Sequence, residues 1–312
     1  MDGGWPELDF ADWQDTAETL QLWTQIVGKV RLALTPWLNH GWQVPLYVSA
    51  RGLTTSLIPA GALAVDIEFD FIDHRLVCRS SGGDVQSFAL RPIPVAQFYD
   101  EVMAALAALG VEVSIYAVPN EVADPIPFRK DDVHASYDAD AARRFWQALV
   151  RVDRVLRLFR SGFIGKASPV HLFWGSFDLA VTRFSGRKAP MHPGGVPGLP
   201  DRVTREAYSH EVSSAGFWPG NGAFPHAAFY SYAYPEPPAF RDRPMPGGAA
   251  YDETLGEFVL RYDAVRRAPE PEAVLLEFLE ASYAAAADCG RWDRAALECP
   301  LGRPGVPRPI GG

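Results

Sequence analysis

Two long strings hold most of the side chains in this chain that could do chemistry. They are GKASPVHLFWGSFDLAVTRFSGR, Gly165–Arg187, and AYSHEVSSAGFWPG, Ala207–Gly220. In the first, the alternation over Leu172–Ser185 predicts a strand, with successive side chains on opposite faces. Phe173, Phe177, Leu179 and Val181 share one face, and Trp174, Ser176, Asp178, Ala180 and Thr182 share the other. An Asp in mid-strand beside a Trp is costly to bury without a partner. Asp178 is therefore either a solvent-facing acid, a fold-stabilising acid paired with Arg183 or Arg187, or a carboxylate that orients a histidine or holds a ligand cation. In the second string, Glu206–Trp218 also reads as a strand. Tyr208, His210, Val212, Ser214 and Trp218 share one face; Ser209, Glu211 and Ser213 share the other. His210 and Glu211 thus point apart and do not form a direct dyad. His210 sits among aromatic residues, a setting that can move an imidazole's titration across neutrality. The expected catalytic pair is His210 as acid/base with Asp178 orienting it, which requires hydrogen-bond reach or one intervening water. The alternative is a structural histidine satisfied within the fold.

Around that pair, Trp174, Tyr208 and Trp218, together with Phe217, Phe229, Tyr230 and Tyr232, offer the apolar lining of a small-molecule cleft. Ordinary core packing would use the same residues. Arg183 and Arg187, with Lys188 beside the Gly186 turn, offer a clamp for a carboxylate or phosphate. Metal chemistry has weaker support. His171, Asp178, His210 and Glu211 are suitable ligand types, but no H-E-x-x-H, H-x-H or cysteine cluster is present. The expectation is that no metal is required, and no cofactor is indicated. A serine nucleophile lacks its G-x-S-x-G turn. Lys29 and Lys166 each follow a glycine without the rest of a phosphate-binding loop; the spacing reads as a glycine helix cap with a lysine favoured by the helix dipole.

The elements that must position these groups recur. LQLWTQIVGK at Leu20–Lys29 resembles LRLFRSGFIGK at Leu156–Lys166, and FALR at Phe88–Arg91 resembles FVLR at Phe258–Arg261. The order is the same, which predicts a duplicated unit. Apolar residues at three- and four-residue spacing predict helices over Thr16–Leu34, Pro94–Leu109, Asp138–Arg160 and Glu270–Asp288. Alternation predicts strands over Trp42–Arg51, Ala64–Ile72, Arg75–Arg79, Val85–Leu90, Val111–Val118 and Thr254–Leu260. The expected fold is α+β: two pseudo-symmetric halves, each an antiparallel sheet with flanking helices. The boundaries are 1–125, 126–299 with long Gly/Pro-rich loops, and a loose tail over 300–312. Those loops make the second half longer and point to it as the functional one.

The whole chain narrows the function class. It has 312 residues, 38 acidic against 29 Lys and Arg, and a net charge of −9. Such a balance disfavours nucleic acid as a partner. No apolar run approaches the ~20 residues that span a bilayer. The three cysteines, without a C-x-x-C, and an acidic N-terminus unlike a signal peptide imply reduced thiols in a cytoplasm.

The two long strings also resemble a bacterial family of unknown function, DUF5996, over about Trp5–Asp293. The resemblance implies one architecture over the full length and lends no activity, substrate or cofactor. In that family the place of Gly41 is usually aromatic and that of Gln43 often His, and this chain departs at both. The sequence thus points to a small-molecule enzyme with its pocket in the second half. The alternative is a non-catalytic ligand-binding or interaction module built on the same aromatic cleft.

Overall fold

The structure is a computed structural model that describes residues 4–308. The clearest sequence signal becomes the central helix, α3 (Ala139–Ser161). Asp138 caps it by accepting a hydrogen bond from the Ala141 N–H at 3.0 Å. Phe145, Leu149, Val152, Val155, Leu156 and Phe159 form its buried face. Each such side chain contributes about 1.5–3 kcal/mol on burial. Helix α1 (Gln14–Leu34) is buried on most sides, and α2 (Val95–Ala108) ends before Gly110, whose φ of 76° stops the helix.

Between α1 and α2 lie β1 (Tyr47–Val48), β2 (Gly52–Thr54), β3 (Ile58–Ala60), β4 (Leu63–Asp70), β5 (Arg75–Ser80) and β6 (Val85–Ala89). They form an antiparallel sheet in the order β1-β2-β4-β5-β6, with β3 continuing along β4 beside β2. After α3 come β7 (His171–Phe173), β8 (Asp178–Lys188), the short α4 (Asp201–Ala207), β9 (His210–Trp218), β10 (Ala228–Tyr234), β11 (Ala250–Asp252) and β12 (Glu257–Arg261). Their order is β11-β12-β10-β9-β8-β7, again antiparallel. Helices α5 (Tyr262–Arg266), α6 (Pro271–Cys289) and α7 (Arg294–Leu297) close the chain. The fold is α+β, with two antiparallel sheets of six strands.

The sheets meet side by side. Leu46 and Leu172 exchange both backbone hydrogen bonds at 2.9 Å, joining the β1 edge to the β7 edge. Counted outward from this seam, Phe88 lies on the fifth strand, β6, and Phe258 on the fifth strand, β12. Helix α3 packs on β8 and also reaches β1, so it bridges the seam.

Several sequence expectations are corrected. Leu172–Ser185 is a hairpin, β7 and β8, because Gly175 and the positive φ of Phe177 reverse the chain between them. Glu206–Trp218 begins as the end of α4. Val111–Val118 forms no strand, although Val111 is buried and Val113, Ile115 and Ala117 pack against the core. Of Trp42–Arg51 only Tyr47–Val48 is strand. The aromatic run at 228–234, outside every expected strand, is the central strand β10. Gly28 and Lys29 lie inside α1 rather than at its end. Gly28 is there because a Cβ would meet the Trp174 indole at 2.2 Å. The segment 300–308 is anchored, with Gly302 N–H donating to Ser161 Oγ at 2.9 Å and Arg308 donating to the Ser161 carbonyl. Among the described residues no helix is long and apolar enough to cross a membrane.

Candidate functional site

The second sheet has one helix-covered face and one polar-aromatic face. On β8, Leu179, Val181 and Arg183 point toward α3 and α6; Asp178, Ala180 and Thr182 point away. The register carries that division across the sheet. Thr182 lies opposite Ser214, which lies opposite Tyr232; Ala180 lies opposite Gly216, which lies opposite Tyr230. Asp178, Thr182, Ser214, Tyr230, Tyr232 and Tyr234 therefore share a face, and Glu257 on β12 joins them.

Asp178 is buried and accepts a hydrogen bond from the Tyr230 hydroxyl. Burial pushes its carboxyl up to about 7; the Tyr230 bond opposes the rise and the Glu121 charge adds to it. Burial, with Asp178 and Asp252 nearby, pushes Glu257 up to about 8. Burial also raises Glu121, against the bond donated by Ser176 Oγ at 2.6 Å. Among the described residues, none of these three acids is in an ion pair. Beside them, the Tyr208 and Tyr232 hydroxyls lie 2.9 Å apart, the rings of Tyr230 and Tyr232 are stacked, and the His192 ring stacks on Tyr208 at 5.1 Å. Burial raises the Tyr208 hydroxyl and takes those of Tyr230 and Tyr232 well above the usual phenol value. All three phenols are donors at neutral pH. Chemically, the cluster offers a carboxyl group that gains or loses a proton near pH 7, next to phenol donors and aromatic faces.

Other proposed site residues go elsewhere. His210 shares the face of Asp178 but lies opposite Lys188, whereas Phe217 lies opposite Leu179. Seven residues of β9 separate His210 from Phe217, roughly 23 Å at ~3.3 Å per residue. The expected His210–Asp178 contact is therefore absent. His210 hydrogen-bonds Ser209 Oγ at 3.1 Å and meets the His40 ring edge-on at 5.8 Å. Arg183 is on the opposite face, sandwiched between Phe159 and Tyr283, with its Cζ 3.4 and 4.3 Å from their ring centres. It donates to the Phe159 carbonyl and lies 3.4 Å from Glu280. Arg187 is held by Glu211 at 2.6 Å and by the carbonyls of Gly290 and Arg291. Neither arginine is free to clamp a ligand beside Asp178. Trp174 turns toward α1 and donates to the Val44 carbonyl at 2.9 Å. Trp218 lies at the Asp178 end of β9 and stacks on Phe224 at 5.5 Å. Tyr208 belongs to the cluster, but from the end of α4.

Both Gly-Lys lysines sit in unusual surroundings. Lys29 is 3% exposed and donates to Asn120 Oδ1, with Tyr116 and Trp174 rings 5.4 and 5.6 Å away; burial pushes its amine down to about 8. Lys166 donates to Nε2 of buried His40 and lies over Phe184 at 4.8 Å. Burial lowers both Lys166 and His40. Sequence reading missed His40, Glu121 and Glu257 as site residues. The period-two Tyr230, Tyr232, Tyr234 series was a usable signal for β10, but nothing in the Pro-rich connector marks Glu121. Among the described residues no group of three or more His, Cys, Asp or Glu is arranged to hold a metal ion; His171, Asp178, His210 and Glu211 do not converge.

A family model described as a family of unknown function, DUF5996, matches residues 5–299. The chain belongs to the DUF5996 family. No curated protein and no solved structure is significantly similar to it. In this DUF5996 protein two surface cavities lie away from the carboxylate cluster. One of about 230 Å³ lies between the Tyr234–Pro238 segment, Glu211, Cys289 and Trp292; one of about 420 Å³ lies between β6 and α2. Perturbed acids mark a functional site more directly than cavity volume does, and they lie in the Asp178 cluster.

Proposed function

We propose that this protein is a small-molecule enzyme whose acid–base group is Asp178, working with Tyr230 and not with His210. The observation that carries this reading is a buried carboxyl on a central strand with a phenol partner and no cation, titrating near neutrality. Tyr208, Tyr232, Tyr234 and Trp218 form the aromatic lining. Glu121 and Glu257, without basic partners, suit a ligand that carries a protonated amine, and the aromatic faces add cation–π attraction. The protein acts on a soluble ligand, without nucleic acid or membrane, in the cytoplasm.

The test is to extract small molecules from purified protein and to screen a mixture of biogenic amines by mass spectrometry, comparing wild type with Asp178→Asn and Tyr230→Phe. An amine retained or converted by wild type and lost in Asp178→Asn supports the reading. Equal retention by both proteins removes Asp178 from the site. The second reading, ligand binding without turnover, is favoured by the hydrogen bonding of Asp178, whose one side-chain partner among the described residues is Tyr230. Retention without conversion distinguishes it.

We also read the two halves as copies of one unit, supported by the matching strand order from the seam. Superposing α1–α2 on α3–α6 tests this, and Phe88 falling off the strand equivalent to that of Phe258 would refute it.

A further inference from the structure

His171 is the most anomalous residue outside that cluster. It is fully buried on β7, and neither ring nitrogen has a protein partner. A buried imidazole left this way is destabilising, which calls for a partner from outside the chain, a water or a ligand. Its neighbours share the defect. Arg31, on α1, is 8% exposed and donates to the Pro45 carbonyl, yet its Nε has no partner. Gln43 is fully buried; its Oε1 accepts from the Leu38 N–H at 3.0 Å while its Nε2 is orphaned.

Arg31 and His171 meet at the seam between the sheets, and Gln43 follows in the chain the Trp42 whose ring faces His171. The Tyr47 ring lies 5.6 Å from the His171 ring and 5.0 Å from the Arg31 guanidinium. The Trp42 ring, one residue from Gln43, lies 5.9 Å from His171. Trp42, Tyr47 and Phe173 are half-exposed, so they form a rim between solvent and the buried nitrogens. Arg31, Arg160 and Lys166 are in no ion pair among the described residues. The His171 imidazole is pushed down to about 3 by burial and by the charges of Arg31 and Arg160, with no acid acting on it. In a protein with a net charge of −9, buried donors without partners beside Arg31 and Arg160, with no acid acting on His171, suit a negatively charged ligand.

We propose that the seam site formed by His171, Arg31 and Gln43 binds an oxyanion, either a phosphate or the carboxylate of a small aromatic acid. Arg31 Nε–H and Gln43 Nε2–H donate to it. His171 presents one N–H as a third donor and one lone pair to a protonated or hydroxyl-bearing part of the ligand. The aromatic rim packs on an apolar body if the ligand has one. The proposal does not depend on Asp178.

The experiment is a thermal-shift and calorimetric titration of the full chain with inorganic phosphate and, separately, with benzoate, at constant ionic strength made up with chloride. A ligand that binds only the folded state raises Tm with saturation. We expect at least one of the two oxyanions to do so. Phosphate alone identifies a phosphate site, and benzoate alone an aryl carboxylate site. Gln43→Glu keeps the acceptor for the Leu38 N–H but places a negative charge in the site, and His171→Phe keeps the ring shape without its nitrogens. Each is expected to weaken binding at least tenfold. If one variant fails to fold, the other decides. No saturable response to either anion in wild type, or responses unchanged in the folded variants, overturns the proposal.

Discussion

The strand carboxylates of the two sheets live under opposite conditions. In the first sheet Asp66, Glu68 and Asp70 alternate along β4, and each has an arginine: Arg79 lies 3.1 Å from Asp66 and 2.9 Å from Glu68, and Arg51 lies 2.6 Å from Asp70. Asp70 also accepts from the backbone N–H groups of Ile72 and Asp73. Burial pushes Asp70 up, but Arg51 and those two amides outweigh it, and its carboxyl lies below the ordinary value. In the second sheet Asp178 and Glu257 have no cation and lie well above it. The same residue type on the same kind of strand is a structural anchor where its charge is answered and, under the proposed function, a proton carrier where it is not. The difference locates the candidate chemistry better than sequence position does.

The comparison breaks most visibly in activity. Asp178→Asn is expected to lower turnover of the retained amine by about 10²–10⁴-fold, measured as product formed per enzyme, while Asp70→Asn leaves it unchanged. A full-rate Asp178→Asn enzyme would make the two sheets equivalent.

The next contrast is in stability. Asp70→Asn removes charge from a satisfied network and is expected to cost about 1–3 kcal/mol in urea unfolding at pH 8. Asp178→Asn at that pH relieves an unanswered buried charge, so its unfolding free energy is expected to equal or exceed that of wild type.

A smaller effect is expected from pH alone. The folded state holds protons on Asp178 and Glu257 up to about 7 and 8, whereas the unfolded chain releases them near the ordinary values of 3.8 and 4.5. Their contribution to stability is therefore complete below pH 4 and is lost as pH rises through 7 to 8. Asp70, whose folded value is depressed, contributes with the opposite sign and is lost as pH falls. Between pH 5.5 and 8.5 the Tm of wild type should fall more than that of Asp178→Asn. Parallel curves would show that Asp178 does not titrate in that range.

The smallest effect belongs to His210. It is half-exposed and distant from Asp178, so His210→Ala is expected to change unfolding free energy by no more than about 0.5 kcal/mol and to leave amine retention intact. Loss of retention would restore the histidine to the chemistry and require the two ends of the polar-aromatic face to act together.

Much of this was legible in local pattern. Helical spacing marked α1, α2, α3 and α6, and period-two alternation placed Asp178, Thr182, Ser214 and His210 on one face, because both signals come from the geometry of a single element. Pattern did not reveal the hairpin at Gly175, because a four-residue turn leaves the alternation on either side nearly intact. It misplaced Arg183 for a related reason: parity puts Arg183 opposite Asp178, but only packing shows that α3 and α6 fill that side with Phe159 and Tyr283.

By itself the sequence determined which residues form elements and which share a face: those are one-dimensional periodicities fixed by backbone geometry. Only the tertiary structure decided which of them meet. The antiparallel register of β8 and β9 sends Asp178 and His210 to opposite ends of one face. The adjacency of β10 gives Asp178 its phenol. The edge-to-edge seam brings Arg31, Gln43 and His171, which are up to 140 positions apart, around one pair of aromatic rings. Distances of that kind depend on strand order and on which charges find partners, and no spacing along the chain encodes either.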